Sequence, residues 1–283
     1  MKMSSYIYVL ATIFVNIMIK KVIQDIEHYF LQVLSLNSEL KRIGSTMGNV
    51  ILEMNEDGSV KVDDNNHVIV KGTIPAALLF RGQSSNYPLI PKLGRDRKDV
   101  IYERIEKSLI QEIKRRGDKI MSSSGLNDWE LLVYVQHYGL ATRLLDWTTN
   151  PLTALWFACQ NAKKNSSAYV YMLRYDDGDL LDITTEKSPF EISKTKVYKP
   201  NMNNERIIAQ NGWFTIHSLQ NDKRKFIPVE EDEDFKDYIM EIEIPSKKQE
   251  EILGKLNILG VNHETIFPGV EGACRHVNWL NQL

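Results

Sequence analysis

The sequence predicts an α+β fold, a mixed and mainly antiparallel β core flanked by helices. Three observations point there. Apolar residues recur at helical spacing in some stretches (Val100, Ile101, Ile105, Leu109 and Ile113). Elsewhere short runs rich in β-branched and aromatic residues, such as 168–175 and 238–244, read as strands. The two kinds of segment alternate without the regular βαβ rhythm of a parallel sheet.

Taken in order, Val22, Ile26, Phe30 and Val33 predict a helix over about 20–36. Residues 50–54 and 60–62, with Glu56-Asp57-Gly58-Ser59 between them, read as a hairpin, and 67–70 and 78–81 as further strands. A long amphipathic helix ends at Gly117, and residues 122–125 form a small linker. Asp128 is placed to cap a helix running to Gly139. Asn150-Pro151 is an N-cap followed by proline at the first helical position, which starts a helix through Ala162. Residues 176–202 are turn-rich. Strands follow at 213–217 and 238–244, then a short helix capped by Ser246 and a last one over 269–280.

Composition bounds the function. The chain has 283 residues, 35 Lys+Arg against 37 Asp+Glu and a formal charge of -2. That length supports a substantial core. The balanced charge gives no global field for bulk nucleic-acid binding. Lys92 to Lys119 is rich in cations, but acidic residues interleave them as in a solvated helix. Cys159 and Cys274 are too few for a disulfide framework or a cysteine-built zinc site, so a reducing, cytoplasmic setting and no bound metal are expected.

Residues 1–19 are set apart by an apolar run from Tyr6 to Ile19, which is short for a bilayer span. Three readings fit: an interfacial membrane anchor, a buried β-rich segment, or translated sequence ahead of a start at Met18. The last is preferred because Met18 leads directly into the amphipathic pattern. Residues 20–283 then read as a single domain.

Four clusters mix core-type aromatics with charge. In the first, Arg81 and Gln83 end an apolar strand, with Gly82 permitting close approach of a backbone or ligand. Arg81 either forks onto a phosphate or carboxylate or locks a buried aspartate. The second holds Gln136, His137, Thr142, Arg143 and Asp146. Here Arg143 and Asp146 read as a semi-buried pair, with Arg81 as a further partner of Asp146. His137 with Asp146 would make an oriented general base, or His137 is a hydrogen-bonded core group. The third places Glu205, Gln210 and His217 around two strands joined by a turn at Asn211-Gly212. In the fourth, Glu271 is a helix-start carboxylate. Walker, G-x-G-x-x-G, G-x-S-x-G and H-E-x-x-H signatures are absent from the sequence.

Phe80-Arg81-Gly82 and the segments 83–92, 136–148, 209–215 and 259–272 resemble the FRG domain family, named for that tripeptide. Ala141 stands where the family commonly has proline. The resemblance implies a domain widespread in bacteria and phages, often beside mobile-element and defence genes, with poorly defined biochemistry. A more distant similarity is to ADP-ribosyltransferases of the Arg-Ser-Glu kind, through Arg81-Gly82, Thr142 and the Asn150-Pro151 helix. It implies an ADP-ribosyltransferase-like fold and NAD as substrate. Arg81 would hold the dinucleotide phosphate, Thr142 would order the ribose side, and Glu205, on a strand, would stabilise an oxocarbenium-like transition state. Thr142-Arg143 departs from that family's Ser-Thr-Ser, and Glu205 lacks the Glu/Gln-x-Glu pairing that selects an acceptor.

The expected site therefore has Glu205, His137 and Asp146 as catalytic residues. Arg81, Gly82, Gln83, Thr142, Arg143 and Gln210 would bind a small-molecule nucleotide. The expected activity is NAD-dependent ADP-ribosyl transfer or NAD hydrolysis in a bacterial or phage conflict system. The alternative is a non-catalytic module that senses a phosphate-bearing ligand or a protein partner, with a structural Arg–Asp network.

Overall fold

The computed structural model describes residues 19–46, 50–52, 55, 61–63, 70–73, 77–95, 100–117, 126–161, 165–220 and 225–282. The chain opens with β1 (Ile19–Val22), α1 (Ile26–Thr46), β2 (Val50–Leu52), β3 (Val70–Thr73) and β4 (Ala77–Gln83). Next come α2 (Tyr102–Gly117), α3 (Asp128–His137), β5 (Leu144–Thr148), α4 (Pro151–Cys159), β6 (Ala168–Tyr175) and β7 (Lys196–Tyr198). The remainder is α5 (Glu205–Gln210), β8 (Gly212–Ile216), β9 (Leu219–Gln220), β10 (Lys225–Phe226), β11 (Ile239–Ile244), α6 (Ser246–Ile258), α7 (His263–Ile266) and α8 (Val270–Leu280).

Seven strands form one sheet in the order β1-β11-β6-β4-β5-β8-β7. Every pairing is antiparallel except β1 with β11. The fold is thus α+β with a mixed, mainly antiparallel sheet. Because side chains alternate across a strand, the sheet builds two cores. Phe80, Val170, Met172 and Ile242 pack under α1, α4 and α6. Leu79, Leu145, Tyr171 and Leu173 face the opposite way and are covered by the segments carrying Val229 and Phe235. A third cluster seats α2 and α3 against Leu144, Phe214 and Ile216.

Local chemistry explains the helix starts. Asn150 Oδ1 accepts from the backbone N–H groups of Leu152 and Thr153, and Pro151 occupies the first turn of α4, where no N–H is required. For α3 the cap is Asn127, one residue before the expected Asp128, because Glu130 completes a reciprocal capping box with it.

Several expectations are corrected. Residues 19–22 are a strand, since pairing with β11 outweighs the helical periodicity that starts at Val22. β2 pairs antiparallel with β3. The proposed turn at 56–59, the linker at 122–125 and the apolar segment before Ile19 lie outside the described residues. Asn211 is not a hairpin turn: with φ of 47° it is the left-handed C-cap that ends α5 before β8. Glu205 consequently opens a helix where a strand was expected. Among the described residues, no helix is long and apolar enough to cross a membrane.

Candidate functional site

The site begins where two strands part. β4 pairs with β6 over its whole length, from Ala77 opposite Tyr175 to Gln83 opposite Tyr169. β5 pairs with β8 from Leu144 opposite Ile216 to Thr148 opposite Gly212. Between them, β4 and β5 share a single paired position, Phe80 opposite Thr148. Arg81 spans the opening beyond that pair. Its guanidinium donates to the Asp146 backbone carbonyl at 2.5 Å, lies 3.8 Å from the Asp146 carboxylate, and donates from Nε to Gln83 Oε1 at 3.4 Å. Burial pulls its pKa down to about 10, against the opposing pull of Asp146, so it stays a cation at neutral pH.

A cleft of about 330 Å³ occupies this opening. Phe80, Gly82 and Ala154 are among its lining residues, and Trp147, Phe157, Trp213 and Phe214 give it further aromatic surface. Gly82 is required there: a Cβ would stand 1.9 Å from the carbonyl oxygen of Ala154 and 2.5 Å from the amide nitrogen of Ala158. The close approach foreseen at this glycine is to the backbone of α4. Among the described residues, four cations line the cleft, Arg81, Lys92, Arg95 and Arg206, against one carboxylate, Asp146.

Neighbouring polar groups tie the walls together. Gln136 at the end of α3 donates to Asp146 Oδ1 at 2.7 Å and accepts from the Thr142 hydroxyl. Thr142 in turn accepts from the Leu144 amide at 3.1 Å. Thr148 donates to the Gln210 carbonyl at 2.6 Å, and the Gln210 side chain donates to the Ile266 carbonyl at 3.1 Å, joining β5, α5 and α7. Lys92 donates to the Gly139 carbonyl at 3.1 Å, and Arg95 reaches the Ile90 carbonyl at 3.1 and 3.2 Å. His137 is half-buried, and burial, helped by the charge of Arg206, holds its imidazole below the ordinary histidine range. Arg206 is likewise half-buried, with its guanidinium 4.7 Å from the centre of the Phe267 ring.

Of the residues expected from sequence, Arg81, Gly82, His137, Asp146 and Gln210 line this one cleft. Gln83 is buried behind it, donating to the Tyr87 carbonyl at 2.8 Å. Thr142 is buried and contributes through Gln136. The expected Arg143–Asp146 pair is not formed. Arg143 packs into the core against Glu106 of α2, and Asp146, two thirds exposed, bonds to Gln136 beside Arg81. Asp146 therefore orients Gln136 and not His137. Glu205 is exposed at the first position of α5 and is not among the lining residues. His217 is fully buried below Trp147 and Thr215. Sequence reading missed Lys92, Arg95 and Arg206 as site residues. Arg206 immediately follows Glu205, and a helix in place of a strand there turns the arginine and not the glutamate to the cleft. Among the described residues, no group of three or more His, Cys, Asp or Glu is placed to hold a metal ion.

Residues 76–167 match the FRG domain. The matched segment runs from β4 through α2, α3, β5 and α4, and so carries Arg81, Gly82, His137 and Asp146, while Arg206 and Gln210 are supplied from beyond it. No curated protein and no solved structure matches the chain. The tripeptide on β4, the glycine packed against α4 and the family match coincide on one piece of structure: residues 76–167 carry an FRG domain.

Proposed function

We propose that this FRG domain protein handles a phosphate-bearing nucleotide in the cleft between β4 and β5, most concretely NAD. The observation that carries the reading is the imbalance, among the described residues, of four cations against one carboxylate in a concave, partly aromatic site. Guanidinium groups and a lysine suit phosphate oxygens, and aromatic faces suit a base or the nicotinamide ring. The setting, an effector in bacterial or phage conflict within the cytoplasm, rests on the family resemblance and on the cysteine content.

In the catalytic form of the reading, the bond between the nicotinamide nitrogen and the ribose C1′ breaks, and its electron pair leaves with nicotinamide. Positive charge grows on the ribose. A carboxylate aimed at that charge lowers the barrier, and Asp146 is the carboxylate that the cleft offers. Water or an acceptor nucleophile then bonds to C1′ and releases a proton. Glu205, the choice implied by the transferase resemblance, would have to act from outside the lining.

That placement of Glu205 favours a second reading, in which the cleft binds the nucleotide without turnover and the Arg81–Asp146 contacts are structural. The two are separated by incubating the full chain with NAD and a cell extract and following free nicotinamide, with Asp146→Asn and Glu205→Gln alongside. Release lost in Asp146→Asn but retained in Glu205→Gln supports the catalytic form. Binding of NAD by calorimetry with no release supports the module. Neither release nor binding removes the nucleotide reading.

A further inference from the structure

Arg81 gives the family its name, but it is already engaged with the protein. Its guanidinium bridges β4 to the Asp146 carbonyl and to Gln83, and it is mostly buried. Arg206 is in the reverse condition. It lines the same cleft, is half-buried, and its side chain has no hydrogen-bond or ion-pair partner among the described residues, although the charges of Asp146 and Glu271 act on it at longer range; its backbone N–H donates to the Asn204 side chain at 2.8 Å. Five N–H donors are held in a partly desolvated wall without a protein acceptor. A half-buried guanidinium so placed keeps its donors available to a ligand oxyanion in exchange for water.

Its position is also fixed. The guanidinium lies 4.7 Å from the centre of Phe267, while that ring is held edge-on by Trp156 and Phe157 of α4, with centroids 5.8 and 6.1 Å away. Arg275 rests on the same ring at 5.3 Å, but it is committed to Glu271 at 2.6 Å. Phe267 thus restrains one arginine that is spent and one that is not. Packing against an aromatic ring limits the motion of the guanidinium and leaves in-plane donors for an oxyanion. Beside it stands His137, another half-buried cleft residue, which feels the Arg206 charge.

We infer that Arg206, positioned by Phe267, is the arginine that grips a phosphate of the ligand, and that Arg81 serves mainly to hold the β4–β5 opening in shape. This rests on the nucleotide reading above and deepens it: the anion is read from α5, beyond the matched family segment, so residues after 167 complete the binding site. The ligand class that follows is a nucleoside diphosphate or dinucleotide, whose several phosphate oxygens can meet Arg206 on one wall and Lys92 and Arg95 on another.

The test is calorimetric titration of the full chain with ADP-ribose and, separately, with pyrophosphate, with melting temperatures taken on every variant. Arg206→Gln is expected to weaken ADP-ribose binding roughly 10- to 100-fold, as for a lost hydrogen-bonded charge, with little change in melting temperature. Arg206→Lys should restore part of the affinity, because an ammonium keeps the charge but not the fork. Phe267→Leu should fall between Arg206→Gln and the unaltered chain. ADP-ribose binding unchanged in Arg206→Gln, with the unaltered chain binding well, overturns the assignment and leaves the nucleotide reading standing. An unaltered chain that binds neither ADP-ribose nor pyrophosphate overturns both.

Discussion

Arg143 and Glu106 form an ion pair in which each side chain is only 1% exposed, joining the start of β5 to α2. Glu106 accepts from the Arg143 amide at 3.0 Å and from Nε at 2.7 Å, and Nη2 lies 2.6 Å from the same carboxylate. The guanidinium also lies over the Phe190 ring at 5.5 Å. One carboxylate therefore fixes both the backbone and the side chain of the residue that leads into the cleft strand.

Removing one partner strands a buried charge, which costs far more than an exposed pair is worth. Glu106→Ala is expected to lower the unfolding free energy by about 3–5 kcal/mol. Chemical denaturation of the single variants and of Glu106→Leu with Arg143→Met together checks this. The double variant should recover much of the loss, since replacing a buried pair by apolar groups is often close to neutral. A single-variant loss no larger than that of an exposed pair would refute a structural role.

At Gly82 the constraint is steric. Any Cβ meets the α4 backbone, which cannot swing aside as a flexible side chain would. Gly82→Ala should force β4 and α4 apart, at a cost of at least about 1–3 kcal/mol, and should weaken nucleotide binding by displacing Arg81. Melting temperature and ADP-ribose titration report the two effects. An alanine variant with unaltered stability would contradict the packing described.

How much of this was legible in sequence depends on how local the determining contacts are. The Asn150-Pro151 cap, the strands at 77–83 and 168–175 and the tripeptide at the cleft are written in adjacent residues. The partner of Arg143 lies 37 positions upstream on another helix, and Asp146, only three residues away, was the wrong local choice. At 205–206 the capping asparagine signals a helix as readily as a turn, and only the helix directs Arg206 onto Phe267, a residue far along the chain. β1 looked helical because its strand identity comes from β11, near the opposite end of the sequence.

His217 ties stability to acid pH. It is fully buried, with its ring nitrogens at 3.0 Å from the Thr215 hydroxyl and 3.2 Å from the Ile227 carbonyl. Burial depresses its pKa to about 3, and the nearby Arg81 and Arg143 push in the same direction against the Ile227 carbonyl. In the unfolded chain a histidine titrates near about 6.5, so the unfolded state takes up a proton first. The stability tied to neutral His217 is therefore fully present above about pH 6.5 and is lost as pH falls toward about 3. Melting temperatures between those limits should fall more steeply for the unaltered chain than for His217→Gln, which cannot titrate. Parallel curves would show that His217 does not supply the acid sensitivity.

Asp146 separates architecture from chemistry at the cleft. Its backbone carbonyl, not its carboxylate, makes the 2.5 Å bond with Arg81, and the side chain is 65% exposed. Asp146→Asn keeps the carbonyl and retains an oxygen that can accept from Gln136, so the loss of stability should stay under about 1 kcal/mol, as for an exposed pair. The same change removes the one carboxylate that lines the cleft among the described residues, beside four cations, and so should leave ADP-ribose affinity equal or higher. If Asp146 stabilises positive charge on the ribose, nicotinamide release falls by orders of magnitude while binding persists. Such a split between binding and turnover identifies a catalytic carboxylate. Parallel loss of stability and binding would instead mark Asp146 as a strut of the opening.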